Sequence, residues 1–211
     1  MEWSKRGISM PKNFALRKTR SGKGLLPPNP KRWEDEHNAL DLRHALELPL
    51  DRRLVHDDAF GLLDEVYVVP HSKLKGLAAD LAGHFTGTRS SRWSGMCVPC
   101  EDGMTLVIYN DSHPPRRVRA TLMEEFFHIW LEHKPTRLRL MANGEGKREF
   151  HKEIEEEAYG SGAAALVPYQ ALKSMLKDGK SVDYIADHFL VSSQLVDFRI
   201  RVAKLSKLKS G

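Results

Sequence analysis

At 211 residues, 41% hydrophobic and 29% charged, the chain is long enough for one domain with a real core. No apolar run approaches the roughly 18–20 residues of a membrane span, and the polar N-terminus lacks the apolar stretch of a signal peptide. The expectation is therefore a cytoplasmic protein with no membrane partner. Its two cysteines, Cys97 and Cys100, cannot build a disulfide framework.

The formal net charge of +5 is unevenly spread. Residues 1–32 hold nine Lys/Arg against the single acid Glu2, leaving the other 179 residues at −3. With Gly22, Gly24, Pro27, Pro28 and Pro30 and little periodicity, this stretch reads as a disordered basic tail. A nucleic-acid contact through the tail is a second use, less favoured than solvation. Met10 is an alternative start. Residues 33–205 read as one domain and 206–211 as a short basic C-terminal tail.

Helix-like spacing of Ala39, Leu40, Leu42, Ala45 and Leu46 predicts a helix over Glu34 to Leu48, stopped by Pro49. A short helix is expected over Asp57 to Leu63, a strand over Glu65 to Val69, and a helix over Leu74 to His84. Strands follow over Arg92 to Val98 and Thr105 to Asn110, joined by Glu101-Asp102-Gly103, whose Asp-Gly pair signals a hairpin turn. A long helix is expected from Arg116 to His133, ended by Pro135, then a polar loop over 136–149. Another helix runs from Arg148 to Val167, stopped by Pro168, and three shorter ones lie near 169–177, 181–189 and 193–205.

The long helix carries the most chemistry. Around Glu124-Glu125-Phe126-Phe127-His128 it is apolar on most sides, which predicts burial. Two carboxylates and an imidazole placed there need partners, and a metal ion satisfies all three. The spacing is that of H-E-x-x-H with glutamate for the first histidine. Glu124 and His128, four apart, share a face as the two ligands, and Glu125, about 100° around, takes the place of the general base. The bland alternative is a solvated face, which Phe126, Phe127, Ile129, Trp130 and Leu131 argue against.

A third ligand is required. The segment His151 to Ala165 is the obvious donor, changing midway from acidic to very small residues. Glycines in a helix interior cost stability, so Gly160 and Gly162 are expected to let another helix come close. Glu155 shares a stripe with Ala158, Gly162 and Ala165, while Glu156 and Glu157 face elsewhere, one or both of them toward solvent or Lys/Arg. His113 and His151 are secondary ligand candidates. His133 is a poorer one, about 140° around the helix from His128. Cys97-Val98-Pro99-Cys100, with no second pair, reads as a turn rather than a zinc or redox motif. Residues 181–202 have the spacing of a helix-turn-helix, with closing the fold favoured over DNA binding.

Arg119-x-Thr121-Leu122-Met123-Glu124-Glu125-x-x-His128 resembles the R-x-T-L-x-H-E-x-x-H segment of the ImmA/IrrE metallopeptidase family. Glu155-x-Glu157-Ala158-x-x-x-Gly162-Ala163-x-Leu166-Val167-Pro168 is similar to that family's E-x-E-A-N-x-F-A-A-x-L-L-M-P helix. Ile185-Ala186-x-x-Phe189-x-Val191-Ser192-x-x-x-Val196-x-x-Arg199 resembles its ending. The resemblance covers about residues 35–203. It implies an α+β, zincin-like fold, with a small mostly antiparallel sheet against helices and the site between two of them. It implies His128 and Glu155 as metal ligands, Glu125 as general base, Zn2+ as the ion, and a protein substrate, namely a transcriptional repressor in a mobile-element or stress response. The departures are Glu124 for His, Tyr159 for Asn and Ser161 for Phe. Met123-Glu124-Glu125-x-x-His128 matches a variant branch of the family. Its oxygen-rich ligand set favours Mn2+ or Fe2+ more than the usual set does. A catalytically inactive regulatory or partner-binding protein that keeps the fold is the alternative.

Overall fold

The computed structural model describes residues 26–74, 93–100, 103–133, 138–140, 146–148 and 151–209. The expected tail up to residue 25, the expected helix beyond Leu74, and Glu101-Asp102 of the hairpin turn lie outside these residues.

Chain order is α1 (Trp33–Ala45), α2 (His56–Phe60), β1 (Val66–Pro70), β2 (Gly95–Pro99), β3 (Thr105–Tyr109) and α3 (Pro115–Trp130). A ribbon of β4 (Leu138–Leu140) and β5 (Gly146–Arg148) follows, then α4 (Lys152–Leu166), α5 (Tyr169–Lys177), α6 (Val182–Phe189) and α7 (Ser193–Val202). Among the described residues these are seven helices and a small mixed sheet, an α+β arrangement of the zincin-like kind. The antiparallel pairing of β4 with β5 corrects the expectation of a plain loop over 136–149. Strands of three residues are too short for alternation to register in a polar sequence.

The three-stranded sheet has the order β1-β3-β2, with β1 parallel and β2 antiparallel to β3. Its register puts Val68, Val107 and Cys97 in one row, with Gly95 and Tyr109 on the same face. Gly103, at φ 85°, supplies the positive angle that the hairpin turn needs. Helix α3 lies on this face of the sheet. Pro115 begins α3 at the position where a missing N–H costs nothing. Its Leu122, Met123, Phe126 and Phe127 are almost completely buried, and Phe126 meets Phe60 edge-on at 5.6 Å and stacks on Trp130 at 5.4 Å.

Helix α4 packs between α3 and α1. A Cβ on Gly162 would stand 3.1 Å from the Met123 carbonyl carbon and oxygen and 3.2 Å from the Glu124 nitrogen. One on Gly160 would stand 2.5 Å from an Asp35 carboxylate oxygen. The small residues thus bring helices close on both sides, as expected.

Two buried arginines satisfy carbonyls at the C-terminal end of α4, which helix geometry leaves unpaired. Arg43 Nε donates to the Ala165 carbonyl at 2.8 Å, and its Nη1 donates to the carbonyls of Pro49 and Arg52. Burial lowers its pKa to about 10. Arg199 Nε donates to the Val167 carbonyl at 3.0 Å, and its Nη2 is paired with Glu36. Glu36 also accepts from the Tyr169 N–H at 3.3 Å. Arg199 is wholly buried, so α6 and α7 close the fold rather than present Arg199 to a duplex. Ser181 and Ser192 cap these two helices, accepting from the N–H groups of Tyr184 and Leu195.

Candidate metal centre

Along α3, residues 121–123 and 125–127 are buried while Glu124 and His128 are half-buried. The two sit one turn apart on the side that meets α4. Helix α4 brings Glu155 to them. One ligand atom from each of Glu124, His128 and Glu155 lies within 4.8 Å of the others. His128 Nε2 is 3.5 Å from Glu155 Oε2, with the two side chains 16% and 17% exposed. Ligand atoms about 2.0–2.2 Å from a tetrahedral ion stand roughly 3.3–3.6 Å apart, so this separation suits a shared cation. The chemistry of the set suits one too, since two carboxylates in a half-dry cleft repel without a cation between them.

Glu125 points from the same helix toward the sheet and is 8% exposed. Its carboxylate lies against the bare backbone of β2. A Cβ on Gly95 would stand 3.0 Å from Glu125 Oε1 and 2.7 Å from Thr121 Cγ2. Cys97 Sγ is 3.1 Å from Glu125 Oε2 and 3.5 Å from the Glu125 carbonyl oxygen. Burial, and then the Glu125 charge, hold the Cys97 proton far more tightly than usual, so the thiol donates to the carboxylate. The turn reading of the cysteine pair fits Cys100 alone. Cys100 is exposed and makes both hairpin-closing bonds, Cys100 N–H to Met104 at 2.7 Å and Gly103 N–H to Cys100 at 3.2 Å. Strand alternation from Gly95 was the available signal that Cys97 shares the face under α3.

The cluster contains neither His113 nor His151. His113 Nε2 lies 3.4 Å from Asn110 Nδ2, and burial and the Arg117 charge lower its pKa. His151 is exposed just ahead of α4. Arg119 donates to the Leu54 carbonyl at 2.7 Å, anchoring α3 to the segment after α1. Tyr159 packs on Phe198 at 5.1 Å, and burial and then the Glu124 charge raise its pKa. Two departures from the family pattern, Glu124 and Tyr159, thus act on each other electrostatically. The site also contains a residue discounted from the sequence. His133 Nδ1 is 3.1 Å from His128 Nδ1, and His133 Nε2 is 3.3 Å from Glu157 Oε2. Glu156 turns away to Lys152 at 3.6 Å.

A glutamate, a histidine and a second glutamate from two packed helices, with a further carboxylate between helix and sheet edge, form a cluster with the chemistry of a metal site. Residues 83–201 match the Peptidase_M78 family model, described as an IrrE N-terminal-like domain, and the chain belongs to that family. The family is one of metallopeptidases, which implies a divalent metal and protein substrates. No curated protein sequence matches the chain. Among the described residues no helix is long and apolar enough to cross a membrane.

Proposed function

We propose that the chain is a cytoplasmic ImmA/IrrE-type metallo-endopeptidase whose Glu124, His128 and Glu155 hold a divalent ion and whose Glu125 is the general base. The observation that carries this reading is the convergence of the three ligand atoms. When bound, the ion would supply Lewis-acid polarisation of a peptide carbonyl and ease deprotonation of water. Glu125 would take a proton from the attacking water and pass it to the leaving amine nitrogen. Cys97 would hold one oxygen of that carboxylate in place, and the glycine surface of β2 leaves room for it. Zn2+ is the proposed ion. The carboxylate at position 124, as in the proposed Met-Glu-Glu-x-x-His branch, makes Mn2+ and Fe2+ stronger competitors than at a His2Glu site. The proposed substrate is a transcriptional repressor of a stress or mobile-element response, and the proposed domain spans 33–205 between two basic tails.

Metal analysis of the purified chain tests the site, with stoichiometric ion expected in wild type and Glu125→Gln and its loss in His128→Ala. Cleavage of a repressor encoded beside the gene, abolished in Glu125→Gln, tests the chemistry. The replaced first ligand favours a second reading, a fold-retaining regulatory protein. Metal binding with repressor association but no cleavage would support it.

A further inference from the structure

We propose that His133 and Glu157 are positioning residues of the metal centre. They form a directional hydrogen-bonded chain that fixes which nitrogen of His128 is offered to the ion. The inference rests on the reading of His128 as a ligand. A neutral imidazole has one N–H and one lone pair. His128 Nε2 is the nitrogen facing Glu155 across the centre, at 3.5 Å. For its lone pair to point there, the proton must sit on Nδ1. His128 Nδ1 lies 3.1 Å from His133 Nδ1, and at that distance one nitrogen donates and the other accepts. His133 Nε2 lies 3.3 Å from Glu157 Oε2. An ionised carboxylate only accepts, so His133 carries its proton on Nε2. Its Nδ1 is then the acceptor, and the His128 proton is held on Nδ1. The reverse direction would aim the His128 proton into the centre and set a lone pair of His133 against the carboxylate.

The backbone builds this contact. Glu132 takes the left-handed conformation at φ 54°. Its N–H bonds the Ile129 carbonyl at 3.0 Å, and the His133 N–H bonds the His128 carbonyl at 2.9 Å. This paired closure of a helix end folds the chain back over its last turn. His133 is therefore tied by its backbone to the same residue that its ring meets, at 5.1 Å between ring centres. Its side chain is only 9% exposed. Outer partners of this kind commonly change metal affinity about 10- to 100-fold when removed.

The test is Zn2+ affinity of the full chain, by competition with a chromophoric chelator, together with the visible absorption of the Co2+-loaded protein. His133→Phe should weaken binding about 10- to 100-fold and alter the Co2+ spectrum. His133→Asn, which keeps an acceptor oxygen near the place of Nδ1, should recover most of the affinity. Glu157→Gln should weaken binding in the same direction. If His133→Phe does not fold by circular dichroism, the Asn and Gln variants carry the test. Wild-type affinity and spectrum in His133→Phe, or equal losses in the Phe and Asn variants, would overturn the inference. If wild type binds and His128→Ala does not, that failure leaves the metal reading standing. A wild-type chain that binds no ion removes both.

Discussion

Replacing Arg199 by methionine removes a guanidinium with no solvent exposure while keeping most of its bulk. The change strands the Glu36 carboxylate, itself 2% exposed, and leaves the Val167 carbonyl without its 3.0 Å donor. Breaking a buried pair by removing one partner costs about 3–5 kcal/mol. An unpaired buried carbonyl adds about 1–3 kcal/mol. The Tyr169 N–H still donates to Glu36, and a stranded carboxylate can take up a proton, so the sum is an upper bound. A net loss of about 3–5 kcal/mol is expected, out of a typical total near 5–15 kcal/mol. Urea unfolding followed by tryptophan fluorescence and circular dichroism measures it. The double variant Glu36→Leu/Arg199→Met should recover the part of the loss that comes from the stranded charge, because an apolar pair needs no counter-ion, while the Val167 carbonyl and the Tyr169 N–H stay unpaired. A single variant within about 1 kcal/mol of wild type, or a double variant no better than the single, would refute the account of this pair.

Gly162→Val should lower stability by about 1–3 kcal/mol, since the new atoms press on the Met123 and Glu124 backbone, which cannot turn aside. It should also weaken ion binding by parting the two ligand-bearing helices, and unchanged thermal unfolding and ion titration would contradict that. Iodoacetamide at pH 8 should label exposed Cys100 quickly and Cys97 slowly, because burial and Glu125 keep Cys97 a thiol. Peptide mass spectrometry reads the two rates, and equal labelling would count against the Cys97–Glu125 contact. Burial, only partly offset by Arg32, raises the Asp35 carboxyl above its ordinary 3.8. The folded chain therefore holds this proton more tightly, so Asp35 opposes folding at neutral pH and the penalty fades as pH falls past the raised value. Asp35→Asn should gain stability over wild type at pH 7 and lose that gain near pH 4. A difference independent of pH would exclude this linkage.

The parts of the site legible in the sequence are those that one helix fixes by itself. Four-residue spacing paired Glu124 with His128, and the stripe through Gly162 pointed Glu155 at a neighbouring helix. His133 escaped because the wheel argument extends the helix through it. The helix ends at Trp130, and the left-handed turn at Glu132 swings His133 back. Cys97 escaped because a motif reading of the cysteine pair hid the strand alternation that sets Gly95 and Cys97 beneath Glu125. The parallel pairing of β1 with β3 joins strands far apart in sequence, and no local pattern encodes such a partner. The pairing of Glu36 with Arg199 escaped for a related reason, because Glu36 looks like an ordinary surface charge and nothing local to Arg199 points to a partner 163 positions away.

The family pattern begins at residue 83, yet Glu155 rides on a helix braced by Asp35, Glu36 and Arg43, all upstream of that limit. A fragment trimmed to the matched span would lose one flank of the ligand-bearing helix and the counter-charge for Arg199 in a single cut. A minimal piece that keeps this packing therefore has to start ahead of Trp33.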